Sequence, residues 1–192
     1  MKKHIPNFLT LFRIALVPIF IWFALIARFR GNFLIATIVF IIASITDYYD
    51  GLLARRFRVT SDFGKLMDPL ADKILIISAL IALYTPGIQL IHLGVVVIVV
   101  LRESLVTLLR YGFAKKGIIL PANNWGKLKT VMQLTGIISA LVYYSILQQW
   151  FIYYRGYFEV GFHFYFWLVA LVTIVSGISF SRDLQRIEKG MR

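Results

Sequence analysis

The sequence contains no cysteine. That removes disulfides, thiolate nucleophiles and cysteine metal ligands together. Its three histidines, His4, His92 and His163, are scattered without metal-ligand spacing, so no structural zinc site is expected. Acidic residues are scarce, nine Asp and Glu against 21 Lys and Arg, for a formal net charge of +12. A basic surplus can serve nucleic acid, but the chain lacks a soluble domain that could display such a patch, so no nucleic-acid partner is expected. The surplus suits loops that face anionic lipid headgroups and anionic substrates instead. Internal repeats, low-complexity tracts and a composition shift are also missing, so residues 1–192 are expected to form a single domain.

What the chain does have is apolar sequence in long runs, 59% of its residues, where a soluble domain is nearer half. A membrane span needs about 20 predominantly apolar residues. Six fit, at about 5–28, 33–56, 67–85, 90–113, 126–149 and 160–182. In lipid they must be helices, because backbone polar groups have to be satisfied within the segment. The expected fold class is therefore all-α, a polytopic membrane protein with six transmembrane helices. Turn chemistry marks the breaks at Arg30-Gly31-Asn32, Thr60 to Gly64, Pro86-Gly87, Gly117 to Asn124 and Arg155-Gly156. The opening Met1-Lys2-Lys3 followed by an apolar stretch resembles a signal peptide. The stretch is too long, carries Arg13 and lacks a small-residue cleavage site, so it reads as a first span or a surface helix. With the N-terminus inside, the outer connections hold only Arg28, Arg30 and Arg155, and 18 of the 21 basic residues fall on the cytoplasmic half. By the positive-inside rule both termini are expected in the cytoplasm. The Tyr, Phe and Trp around 143–167 suit an interfacial aromatic belt.

Five of the nine acids fall within 26 residues, and four of them, Asp47, Asp50, Asp68 and Asp72, stand in pairs at helical spacing. An ionisable group inside a membrane costs about 3 kcal/mol or more and is functional by default. Four like charges together repel unless a cation neutralises them, and a divalent cation takes oxygen ligands. On a helix Asp47, Asp50, Gly51 and Ala54 share one face, and Gly64, Asp68 and Asp72 share another. The connection between these helices is short enough for an antiparallel pair, so both carboxylate pairs are expected to converge at the cytoplasmic rim. Gly51, Ala54 and Gly64 are small enough to admit a ligand or a neighbouring backbone. Asp62, in Thr60-Ser61-Asp62, reads as a loop or cap residue instead. Caps alone do not call for carboxylates paired at i,i+3 and i,i+4.

The run Asp47-x2-Asp50-Gly51-x2-Ala54-Arg55-x8-Gly64-x3-Asp68-x3-Asp72 resembles the signature of the CDP-alcohol phosphotransferase (phosphatidyltransferase) family at every position. The resemblance implies a six-helix membrane fold and transfer of a phosphatidyl group from a CDP-activated lipid to an alcohol, with release of CMP. It also implies a homodimer and Mg²⁺ or Mn²⁺, two ions. Asp47, Asp50 and Asp68 resemble the metal ligands. Asp72 resembles a further ligand or the base that takes the acceptor proton. Gly51, Ala54 and Arg55 resemble CDP-binding positions, with Gly64 beside them. Arg55 can neutralise phosphate charge through a bidentate contact.

Further segments are similar to the phosphatidylglycerophosphate synthase branch of that family: His4 to Arg13, Thr46-Asp47, Thr60 to Gly64, Asp68 to Lys73, Arg102-Glu103, Arg110 and Gly126 to Gln133. They imply CDP-diacylglycerol as donor, sn-glycerol 3-phosphate as acceptor, membrane lipids as neighbours and a bacterial inner-membrane location. A phosphorylated acceptor needs cations besides the metals, and Arg102, Arg110, Lys127 and Lys129 are the candidates. Glu103 and Arg110, seven apart, share a helix face, so Glu103 is expected to hold an arginine in place. Lys115, Lys116 and the C-terminal basic residues read as positive-inside decoration. Asn7, Thr10 and Arg13 form a polar stripe expected to touch nucleotide or lipid phosphate, against an N-cap at Asn7 and a snorkelling Arg13. Alternative acceptors of the same chemistry are inositol phosphate, serine or phosphatidylglycerol. A cation-binding transporter is the remote alternative; it predicts acids distributed over several helices near the midplane rather than at one rim.

Overall fold

The computed structural model describes the backbone of residues 5–29, 31–57, 62–115 and 124–190, and the side chains of 11–29, 31–47, 70–115 and 124–185. Six α-helices follow one another there: α1 Ile5–Ile21, α2 Asn32–Phe57, α3 Asp62–Tyr84, α4 Leu93–Lys115, α5 Asn124–Ser145 and α6 Arg155–Gly190. Each overlies one of the six apolar segments, and no strand occurs among the described residues. The helices outrun the apolar windows where backbone bonding continues into polar sequence, most at α6. The break expected at Arg155-Gly156 falls earlier. Two 3₁₀ turns, Leu147–Gln149 and Ile152–Tyr154, make the connection, and Arg155 opens α6 with an i,i+4 bond to Glu159 at 2.7 Å. The Pro86-Gly87 break is present, with Gly87 at φ +94°, a conformation a side chain would resist. Most of the Gly117–Asn124 break lies outside the described residues.

Pro18 sits inside α1 and has no N–H to give the preceding turn. Beyond it the helix widens into a π turn, Trp22–Ile26, closed by Ala27 N–H donating to the Trp22 carbonyl at 2.8 Å. Asn32 then donates its amide to the carbonyls of Ala27 (2.7 Å) and Phe23 (3.1 Å). One side chain at the start of α2 thereby satisfies carbonyls that the end of the first helix leaves open.

The chain forms two compact units. The first holds residues 1–88 and 138–153. Its α1 packs against both α2 and α3. Leu16, Val17 and Phe20 form the buried stripe of α1, continued by Ala24 in the π turn, and Ala36, Phe40 and Ala43 form that of α2. Phe20 meets Phe40 with ring centroids 5.6 Å apart. Phe33 meets Tyr144 edge-on at 4.8 Å. The second unit holds residues 89–137 and 154–192, and its α4 packs against α6. Val106, Phe180 and Leu184 are its apolar cluster, with Leu109 and Phe113 against them. Among the described residues one helical stretch, Ile152–Gln185, is long and apolar enough by itself to cross a membrane.

Candidate active site

In the first unit, α2 and α3 carry the acidic positions. Asp47 lies ten residues before the end of α2 at Phe57, and Asp72 ten residues after the start of α3 at Asp62. Helical geometry puts the positions of Asp47, Asp50, Gly51 and Ala54 in line with Ala36, Phe40 and Ala43, the face of α2 that is buried. On α3, Asp68 and Asp72 likewise continue the face that buries Ala71, Leu75, Ala79 and Ala82. The acidic positions thus continue two packing faces along α2 and α3. The side chains of Asn7, Thr10, Asp50, Gly51, Ala54, Arg55, Gly64 and Asp68 lie outside the described residues, although all eight positions are helical. Among the described residues no three His, Cys, Asp or Glu gather into a metal-sized group.

Arg13 is described, and it does not snorkel. It is 1% exposed on the buried stripe of α1, and its Nη1 lies 2.7 Å from Asp47 Oδ1. A guanidinium beside the first signature carboxylate supplies positive charge at the same point where a metal ligand is expected. Asp47 itself is about half exposed. The donor set fits a hard divalent ion: carboxylate oxygens, no sulfur and no histidine nearby in sequence. Asp72 is partly buried in α3.

The second unit gathers a different polar cluster. Arg102 on α4 donates from Nη1 to Glu103 at 3.1 Å and from Nη2 to Ser176 Oγ on α6 at 2.6 Å. Lys129 on α5 pairs with the same Glu103 carboxylate. Lys129 and Ser176 are buried, and Arg102 and Glu103 nearly so. Two cations thus meet one carboxylate.

Of the four expected acceptor cations, the structure brings Arg102 and Lys129 together through Glu103. Arg110 is exposed, and its guanidinium lies over the Phe180 ring, 5.5 Å from the centroid. Lys127 is exposed and two residues from Lys129, hence on another face of α5. The arginine that Glu103 holds is its own neighbour Arg102. In the second unit the buried Thr173 and Ser176 escaped the sequence reading, and Gln133, named there only within the run Gly126 to Gln133, is buried as well. Gln133 carried a usable signal, standing one turn beyond Lys129. Ser176 carried none, because its partner is 74 residues away.

A family model described as CDP-alcohol phosphatidyltransferase matches residues 3–175 of the chain. The chain is 40% identical over 161 residues (75% of its length, 70% of the relative's) to a Mycoplasma pneumoniae protein named CDP-diacylglycerol–glycerol-3-phosphate 3-phosphatidyltransferase. It is 37% identical over 189 residues to a Bacillus subtilis protein of the same name, covering 91% of each chain. A Haemophilus influenzae protein, again of that name, is 32% identical over 182 residues, covering 94% of this chain and 92% of the relative.

Proposed function

The chain belongs to the CDP-alcohol phosphatidyltransferase family, and from that premise we propose that it transfers a phosphatidyl group from CDP-diacylglycerol to sn-glycerol 3-phosphate, giving phosphatidylglycerophosphate and CMP. The observation that carries the choice of acceptor is the buried Arg102–Glu103–Lys129 cluster. Buried cations are costly unless anions meet them. The phosphate of the acceptor is such an anion. The similarity to relatives named for glycerol 3-phosphate points the same way.

In this reading the terminal hydroxyl of the acceptor attacks the lipid-side phosphorus. The new P–O bond forms as the bond to CMP breaks, and CMP leaves with the electron pair. Asp72 takes the hydroxyl proton, for which it must come within hydrogen-bond reach of that oxygen. Mg²⁺ or Mn²⁺, two ions held by Asp47, Asp50, Asp68 and Asp72, would supply Lewis-acid polarisation and charge neutralisation at the diphosphate. The helix positions support that grouping. Ten residues is about 15 Å of helix, so in an antiparallel pair joined by four residues Asp47 and Asp72 stand level, with Asp50 and Asp68 level below them. Arg13 holds Asp47 in its rotamer. Asn7, Thr10, Gly51, Ala54, Arg55 and Gly64 line the CDP-lipid, and Arg102, Lys129, Arg110 and Lys127 draw in the acceptor phosphate.

The protein works as a multi-pass homodimer in the bacterial inner membrane, with its termini and site on the cytoplasmic side. Exposed apolar stripes support several spans beyond α6: Leu34, Ile38, Ile42 and Ile45 on α2, and Leu93, Val97, Leu101, Leu105 and Leu108 on α4. Stripes of this length suit acyl chains better than water. A panel of acceptors offered to purified protein with CDP-diacylglycerol, scored by CMP release, tests the reading. Glycerol 3-phosphate is expected to be used and serine, inositol phosphate and phosphatidylglycerol not. Release of CMP with serine but not with glycerol 3-phosphate would overturn it, and no CMP with any acceptor would favour cation transport.

A further inference from the structure

Gln133 is 2% exposed in the middle of α5, and its Nε2 has no hydrogen-bond partner among the described residues. A buried amide donor left unpaired costs about 1–3 kcal/mol, and native proteins retain few such groups without a ligand or water to meet them. The position is not isolated. Gln133 stands one turn beyond Lys129 on the same face of α5, and Lys129 joins Arg102 through Glu103. Arg102 Nε is likewise buried without a partner among the described residues. Two unpaired donors therefore belong to one cluster that also holds the cations Arg102 and Lys129.

Glycerol 3-phosphate has a phosphate at one end, the reacting hydroxyl at the other and a secondary hydroxyl between. From its phosphorus to its secondary hydroxyl oxygen it spans four bonds, about 5 Å when extended, close to one helical turn of roughly 5.4 Å. A phosphate held at the level of Lys129 therefore presents a hydroxyl near the level of Gln133. A hydroxyl both donates and accepts, so either end of an amide can bond it. An apolar neighbour would leave the Gln133 donor unmet, whereas an oxygen of the acceptor meets it, and at this level that oxygen is a hydroxyl. We infer that Gln133 is a specificity-determining residue, whose side-chain amide hydrogen-bonds the secondary hydroxyl of a glycerol phosphate acceptor bound at Arg102 and Lys129. The inference rests on the function proposed above and deepens it. It assigns the recognition of the glycerol moiety to a residue outside the charged set.

The test compares glycerol 3-phosphate with 3-hydroxypropyl phosphate, which keeps the phosphate and the reacting hydroxyl but lacks the secondary one. The full-length protein in detergent is assayed with CDP-diacylglycerol by CMP release. Wild type is expected to prefer glycerol 3-phosphate by about 10- to 100-fold in kcat/KM, the worth of a buried hydroxyl contact. Gln133→Met, of similar volume and without the amide, is expected to bring the two acceptors within about threefold of each other. Gln133→Glu, which still accepts a hydrogen bond but repels the phosphate, is expected to raise KM for both. A merely structural role for Gln133 would lower both rates in proportion and leave the preference intact, and that result overturns the inference. Should neither variant fold, equal use of the two acceptors by wild type overturns it alone. Absence of CMP release by wild type with glycerol 3-phosphate counts instead against the proposed function itself.

Discussion

Arg13 on α1 and Asp47 on α2 meet at 2.7 Å, the arginine buried and the carboxylate half exposed. The pair is asymmetric, and so are its expected mutants. Asp47→Ala strands a guanidinium in the core with one anion fewer, at a cost of about 3 kcal/mol. Arg13→Met leaves a carboxylate that water still reaches and fills the space with an apolar chain, at a cost of about 1 kcal/mol. Thermal unfolding of the solubilised protein should therefore put the midpoint of Asp47→Ala well below that of Arg13→Met. Equal midpoints would mean that burial of Arg13 does not set the balance.

The carboxylates are expected to work only with metal. Chelation of divalent ions should stop CMP release, and Mg²⁺ or Mn²⁺ should restore it. Asp50→Asn and Asp72→Asn should each abolish turnover, while helix content measured by circular dichroism stays unchanged. Full activity of the chelated protein would exclude the metal-assisted step.

Glu103 keeps Arg102 and Lys129 close without mutual repulsion. Glu103→Gln removes the anion between two nearly buried cations. The expected result is a loss of about tenfold or more in kcat/KM for glycerol 3-phosphate. The KM for CDP-diacylglycerol should change little. A change confined to the lipid substrate would separate this cluster from the acceptor.

Gly136 has no room for a side chain. A Cβ there would lie 2.5 Å from Tyr165 Cε1 and 3.2 Å from its Cδ1. The ring cannot swing aside freely, because its hydroxyl donates to the Met132 carbonyl at 2.9 Å and lies 3.0 Å from Thr135 Oγ1. Gly136→Ala is expected to destabilise by about 2 kcal/mol, and Tyr165→Phe by about 1 kcal/mol. Gly136→Ala combined with Tyr165→Ala should recover part of the first loss, as a double-mutant cycle in thermal midpoints would reveal.

The sequence by itself determined the helices and the acidic motif. Six apolar segments became six helices because a run of about 20 apolar residues leaves backbone groups no other economical partner. The i,i+3 and i,i+4 spacing of Asp47, Asp50, Asp68 and Asp72 needs only the pitch of a helix to place each pair on one face. Gly31 and Gly87 marked turns because their positive φ excludes most other residues. Helix ends were less legible, as at Arg155-Gly156, since hydropathy reports where lipid-like sequence stops and not where hydrogen bonding does. Partnership was decided only by the tertiary structure. Arg13 read as a snorkelling or phosphate-binding side chain until packing of α1 against α2 set it against Asp47. Glu103 shares a helix face with Arg110, yet it pairs with Arg102 and with Lys129, 26 residues away on another helix. The burial of Ser176 and of Gln133 was likewise decided by tertiary packing. Periodicity fixes which face of a helix a residue occupies, but which other face it meets depends on contacts distant in the chain.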